Sequence, residues 1–341
     1  MIDITDDELR ARASKITHPE FIGQVVYPAA REGAARCGPS VDCKVTIVQD
    51  RGTGRITLNY AFDDGTLVFG KLYSDELVRH SFQVLNGLWR VGFGNDQPYQ
   101  VSQPLLYVPE HRLLLTKAVE GTPLTSFVGC DCPELVPYVR QAANWLVQLH
   151  KSSIRVGRNE SLWQSLKLFK AIRRLGKAAA LVPDRKEMMI EMVNTLCDRG
   201  KQSRATVHAV QTHGRFHYEH VLLDGSKTTV IDFDRSLPSD PAKDLAEFVT
   251  MLRLRTFKLT GSAEAADAPT RAFLGEYLSH LPENAANLAI HWGAFLLLTL
   301  FRHVRRPDAQ PSRRVVRFCQ KEFDSVLSGN PVPGIGVTST N

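Results

Sequence analysis

The feature that most constrains this 341-residue chain is a change of hydrophobic period part-way along it. Between Cys43 and Val119 the apolar residues fall in short β-rich runs separated by turn signals, whereas beyond Leu124 they recur almost everywhere at helical spacing. Such a chain is expected to be α+β, with strands and helices segregated rather than alternating. Cys43 to Gln49, Ile56 to Phe62 and Leu67 to Tyr73 read as three consecutive antiparallel strands. Arg51 to Arg55 punctuates the first pair, and Asp63-Asp64-Gly65-Thr66 makes the second turn.

Ser74 or Asp75 can cap a following helix, in which Val78, Phe82, Leu85 and Trp89 form one apolar stripe expected against the sheet. Leu105 to Val108 and Leu113 to Val119, around Pro109-Glu110-His111, make a second hairpin that ends at a hinge-like Glu120 to Pro123. The pattern predicts a five-stranded antiparallel half with one helix, over residues 43–119, preceded by a leading segment 1–42 that packs against this β-rich half. Residues 120–330 form the helical half, and 331–341 a tail.

In the helical half, Asp131 and Pro133 signal a start, and Leu135, Val139, Ala142, Leu146 and Leu149 continue one stripe. Residues 151–205 read as helices with a basic surface. Val207 to His213, Val221 to Leu223 and Thr229 to Phe233 interrupt them as short strands, with Asp224-Gly225-Ser226-Lys227 as a turn. Helices resume near Asp244 and run to about Leu327.

Composition excludes several classes. With 43% hydrophobic residues the chain buries a substantial core, and a net charge of +6 is too small to mark a nucleic-acid protein. Six irregularly spaced cysteines make no disulfide framework, and no secretory signal opens the sequence, so a cytoplasmic location is expected. Asn284 to Phe301 lacks Asp, Glu, Lys and Arg, but Asn284, Asn287 and His291 interrupt it. It reads as a buried helix rather than a membrane span. Neither nucleic acid nor membrane is expected as a partner.

The most informative stretch runs Thr212-His213-Gly214-Arg215-Phe216-His217-Tyr218-Glu219-His220. Asp232-Phe233-Asp234-Arg235 follows twelve residues later, and then Asp240-Pro241-Ala242-Lys243-Asp244-Leu245-Ala246. This set resembles the aminoglycoside and choline phosphotransferase branch of the protein-kinase-like fold, over roughly residues 43–300. That branch carries His-Gly-Asp, four residues, Asn, a hairpin, Ile-Asp-Phe or Ile-Asp-Trp, and Asp-Pro-x-x-Asp-Leu-Ala. The resemblance implies a two-lobed protein-kinase-like fold, with a small five-stranded lobe and a mostly helical one. It also implies ATP or another nucleoside triphosphate as phosphoryl donor, and Mg²⁺ or Mn²⁺ as cofactor.

Phosphoryl transfer spreads negative charge over oxygens, so the protein must supply cations, metal ligands and a base. By the resemblance, Lys71 is the strand lysine aimed at the phosphates, Asp232 a metal ligand and His220 the second ligand, where the family usually has Asn. His213 and Asp244 brace the catalytic loop. Gly52 and Gly54 offer backbone N–H groups near phosphates, although a plain hairpin turn explains them equally well, and Lys117 and Val119 border the nucleotide. The lysine-orienting acid has two candidates, Glu76, close in sequence to Lys71, and Gln83, better placed but uncharged.

Arg215 occupies the position of the aspartate that accepts the hydroxyl proton, and a guanidinium stays protonated. Glu219, His217 and Asp234 are nearby substitutes; alternatively Arg215 clamps a phosphate or pairs with a carboxylate such as Asp232. His213, His217 and His220 resemble a zinc helix only superficially, because Gly214 and a loop conformation break it. Cys130 and Cys132 lack a second ligand pair. Residues 151–205 carry thirteen Lys plus Arg against five acids, which favours an anionic or neutral hydroxylated acceptor over a cationic one, unless they are simply a solvated face. The sequence thus predicts an ATP-dependent phosphotransferase acting on a small molecule. The alternative is a nucleotide-binding pseudokinase with a regulatory or partner-binding role.

Overall fold

The computed structural model describes residues 4–31, 42–50, 52, 54–129, 132–165, 174–177, 180, 183–203, 208–304 and 310–329. Cys130, Asp131, Lys167, Lys170 and Arg173 lie outside them, as does the predicted tail. The chain divides into two compact units. One comprises residues 1–121 with Thr229–Arg235, and the other residues 122–228 with 236–341, so the first boundary falls within the hinge-like Glu120 to Pro123.

The first unit is built on a five-stranded antiparallel sheet: β1 Cys43–Asp50, β2 Arg55–Phe62, β3 Leu67–Tyr73, β5 Pro104–Val108 and β6 Leu113–Lys117, in the order β1-β2-β3-β6-β5. A short β4, Tyr99–Val101, precedes β5. Alternation assigns the two faces of β3 different roles. Val68, Gly70 and Leu72 are buried on one face with Ile56, Leu58, Tyr60, Phe62, Leu113 and Leu115. That core is completed by the leading segment. Thr5 caps the helix Asp6–Ile16 in a capping box with Glu8, and Leu9, Ala13 and Ile16 join Ile22 and Val26 against the strands. The Tyr60 hydroxyl donates to the Ile16 carbonyl at 3.2 Å. Gly70 is needed for closeness, since a Cβ there would lie 2.8 Å from the Tyr60 ring.

Lys71 and Tyr73 alternate to the opposite face. The helix Leu77–Arg90 buries Val78, Ser81, Val84, Leu85 and Leu88, a stripe rotated from the predicted one, which leaves Phe82 and Trp89 half-buried. The rotation brings the hydroxyl of Ser81 inward. The strand predicted to reach Val119 stops at Lys117. The strand predicted over Thr229 to Phe233 instead ends at Val230, because Asp232 has a φ of +72°, which extended pairing does not tolerate.

In the second unit, β7 Thr122–Pro123 pairs with β9 Val221–Asp224, and β8 Val210–Thr212 pairs with β11 Leu237–Ser239. The predicted strand from Val207 to His213 is thus three residues long. β9 and β10 Lys227–Val230 flank the Gly225-Ser226 turn, and the chain passes from the second unit to the first within β10. Helices Leu135–Lys151, Lys186–Gln202, Ala242–Thr260, Asp267–His280, Leu288–Val304 and Gln310–Leu327 supply the rest. Leu288–Val304 is buried along most of its length among its helical neighbours, as its composition predicts. Among the described residues no helix is long and apolar enough to cross a membrane.

Candidate functional site

In the first unit, the Lys71 ammonium donates to Asp232 Oδ1 at 2.7 Å and to Asp234 Oδ2 at 2.6 Å. Antiparallel register explains what else converges there. Arg55 on β2 lies opposite Tyr73 on β3, and Lys71 precedes Tyr73 by two, so all three side chains share one face. Arg55 Nη1 reaches Asp234 Oδ2 at 2.8 Å, the Tyr73 hydroxyl donates to Asp234 Oδ1 at 2.6 Å, and Ser81 Oγ donates to the same oxygen at 3.0 Å. The buried carboxylate of Asp234 therefore accepts four hydrogen bonds, the full capacity of its lone pairs. Burial and the Asp234 charge push the Tyr73 phenol well up, so it remains a donor. Arg55 and Lys71 lie 5.2 and 5.4 Å from the Tyr73 ring centroid.

Glu76 and Gln83 are elsewhere. Glu76 pairs with Arg112 at 3.2 Å, and Gln83 is on the exposed side of its helix, so neither supplies the acid that holds Lys71. The predicted glycines have local roles. The Gly52 N–H donates to the Asp50 carboxylate at 3.1 Å, while Gly54, at φ +74°, accepts from Ser74 N–H at 2.8 Å. Lys117 is exposed and its N–H donates to Gln103 O at 2.9 Å; Val119 lies beyond the end of β6.

The second unit holds the loop from His213 to His220. Asp244, fully buried, accepts the N–H groups of His213 and Gly214 at 2.7 and 2.9 Å. His150 Nε2 lies 3.2 Å from the same carboxylate. Burial alone would raise the Asp244 pKa, but the hydrogen bond and charge of His150, with those of His213, hold it below the usual aspartate value. Gly214 adopts φ +74°, and the loop turns through Arg215, whose N–H donates to His213 Nδ1 at 3.3 Å. The Arg215 carbonyl lies 3.0 Å from His220 Nδ1. Phe216 anchors the loop, stacking on Trp145, Phe248 and Phe273 with centroids 5.8, 5.4 and 6.4 Å away.

His217 is buried, and its Nδ1 accepts the Glu219 N–H at 3.3 Å, capping the short turn Tyr218–His220. A continuous zinc-binding helix is absent here, as Gly214 predicts. The Glu219 side chain is 53% exposed. Of the three substitute bases, Asp234 has its oxygens filled by donors and His217 has one nitrogen engaged in capping, which leaves Glu219 the most open to solvent.

Asp232 offers a partly exposed carboxylate, a hard oxygen ligand of the kind Mg²⁺ prefers. Among the described residues no group of three or more His, Cys, Asp or Glu side chains converges on a metal position. A metal held by Asp232 would therefore draw its remaining ligands largely from phosphate oxygens and water, the usual Mg²⁺ pattern.

Sequence reasoning missed Arg55, Tyr73, Ser81 and His150 as members of these clusters. Alternation along β3 was a usable signal for Tyr73, and a lone serine among apolar neighbours one for Ser81.

A family model described as the phosphotransferase enzyme family matches residues 59–282. The chain belongs to the phosphotransferase enzyme family. Its α+β kinase-like fold recurs in solved structures of low sequence identity. A choline/ethanolamine kinase family protein from Mesorhizobium loti is 14% identical with a TM-score of 0.59, covering 94% of this chain and 98% of that one. An amicoumacin kinase, solved with AMP-PNP, Ca²⁺ and its ligand, is 13% identical with a TM-score of 0.60, covering 96% and 98%. A macrolide 2′-phosphotransferase from Brachybacterium faecium is 16% identical with a TM-score of 0.51, covering 82% and 94%. No curated protein matches the sequence. The family fixes the reaction class as kinase-like phosphotransfer to a small molecule; the acceptor is a separate question.

Proposed function

We propose that this chain binds ATP with a divalent metal and transfers the γ-phosphoryl group to a hydroxyl of a small neutral or anionic molecule. The observation that carries the reading is the Lys71 ammonium held by Asp232 and Asp234, a strand lysine paired to the Asp-Phe-Asp segment as phosphoryl transfer requires. In this reading Lys71 engages phosphate oxygens and Asp232 ligates Mg²⁺ or Mn²⁺. His220 is the candidate ligand on the loop, through Nε2, since Nδ1 faces a carbonyl. The metal, when bound, neutralises charge on the phosphate oxygens. The net positive charge of residues 151–205 supports an acceptor that is not cationic.

A second reading is favoured by one residue. Arg215 stands on the loop where the family resemblance calls for a proton-accepting aspartate, so a nucleotide-binding pseudokinase is the alternative. Loss of a positioned base lowers rates by about 10²- to 10⁴-fold. Thermal shift with ATP and Mg²⁺ or Mn²⁺, followed by transfer of labelled phosphate from ATP, tests both. Absence of nucleotide binding, or binding unchanged in Lys71→Ala and Asp232→Ala, refutes the first reading. Turnover that Glu219→Gln abolishes refutes the second.

A further inference from the structure

We propose that Asp234 is the positioning residue of a two-cation phosphate site, made by Lys71 and Arg55, and that it replaces the helix carboxylate expected to orient the lysine. The proposal rests on the reading of Lys71 as a phosphate ligand. The helix Leu77–Arg90 contains no Asp or Glu, and Glu76 before it is paired with Arg112. An orienting carboxylate must therefore come from elsewhere in the chain. Asp234 meets that need. Its side chain is 4% exposed, and it binds both cations on one oxygen, Oδ2, while Tyr73 and Ser81 fix the other. Four donors from β2, β3 and the helix leave the carboxylate no alternative rotamer without unsatisfied partners.

Both cations keep an open side. Lys71 is 25% and Arg55 31% exposed, against the nearly buried carboxylate beneath them. Once a metal draws on Asp232, the two cations share a single carboxylate and retain positive charge to receive phosphate oxygens. Arg55 also presents a planar fork of donors suited to two such oxygens. Asp234 thus acts through Lys71 and Arg55, without itself touching nucleotide.

A thermodynamic cycle on nucleotide binding decides it, with dissociation constants for Mg-ATP and for adenosine measured by calorimetry on the full chain. Asp234→Asn presents an amide N–H₂ to one of two cations, and should weaken Mg-ATP by about fivefold or more while leaving adenosine unchanged. In a Lys71→Ala/Arg55→Ala background the same substitution should change Mg-ATP by less than about twofold, since its partners are gone. Arg55→Ala alone should weaken Mg-ATP and spare adenosine. Tyr73→Phe, which removes one donor, should give a smaller loss of the same kind and serves if Asp234→Asn fails to fold.

If wild type binds no nucleotide, the functional reading falls and this inference with it. If wild type binds and Lys71→Ala weakens it, but Asp234→Asn and Tyr73→Phe do not, the inference alone is overturned. An equal Asp234→Asn effect in both backgrounds, or an equal loss for adenosine, also overturns it by showing a merely structural role. Arg55→Ala without effect on Mg-ATP removes the second cation.

Discussion

Lys71 Nζ and Asp234 Oδ2 lie 2.6 Å apart although 163 residues separate them in the chain, and Asp232 Oδ1 completes a fork around the same ammonium. The lysine neutralises two carboxylates that sit two residues apart on one segment. Lys71→Met leaves Asp234 with Arg55 alone and Asp232 without its ammonium partner. The unfolding free energy measured in urea should fall by about 1–3 kcal/mol, and an unchanged midpoint would contradict the pairing.

Restoring the missing base offers a gain-of-function test. On the proposed reading, Arg215→Asp places a carboxylate on the loop braced by Asp244, and phosphate transfer should rise by about 10²-fold or more. The rate is read as labelled phosphate moved from ATP to an acceptor or to water. A rate at or below wild type would mean that Arg215 does not occupy the base position.

Asp244 should govern acid stability in the second unit. Its folded pKa lies below the ordinary aspartate value near about 3.9. A depressed carboxyl pKa stabilises the fold above the unfolded pKa, and that contribution is lost as pH falls through the folded value. Asp244→Asn should therefore be less stable than wild type at pH 7, by about 3–5 kcal/mol for a broken buried pair. The difference should shrink progressively below pH 4. A gap that stays constant down to pH 2, in urea melts at each pH, would rule this out.

Phe216 fixes the loop that carries Arg215. Its ring is fully buried among Trp145, Phe248 and Phe273. Phe216→Ala should cost about 3–5 kcal/mol and raise amide exchange over residues 213–220. Exchange unchanged in that loop would show that other contacts hold it.

The turn before β2 tests a backbone requirement. Gly54 adopts φ +74°, and a Cβ would overlap Ser74 Oγ. Gly54→Ala should destabilise by about 1–3 kcal/mol, whereas Gly65→Ala, also at positive φ but with nothing near its Cβ, should cost less. Equal losses in thermal melts would leave the Ser74 contact without weight.

Much of this was legible in the sequence because it is local. The five strands, the helix after Tyr73, the Gly225-Ser226 turn and the helical second half follow from period and turn chemistry, which act over a few residues. The loop from His213 to His220 was legible as a loop because Gly214 interrupts it. Helix phase was not, since Val78, Phe82, Leu85 and Trp89 make as good a stripe on paper as the observed Val78, Ser81, Leu85 and Leu88. The difference lies in the surface that the sheet presents to the helix. Likewise, the end of β10 was misjudged because Asp232 takes a left-handed conformation that no neighbouring residue announces.

By itself, the sequence determined the order of elements, the motif residues and the family to which they belong, all of which depend on residue type and short spacing. Tertiary structure alone decided that the first thirty residues complete the core behind β3, and that Asp234, not Glu76 or Gln83, shares the lysine with Asp232. Charge pairing is set by distance in space. Strand register and chain return bring Arg55, Lys71, Tyr73, Ser81 and Asp234 within hydrogen-bond reach, and neither is written in the spacing of those residues along the chain.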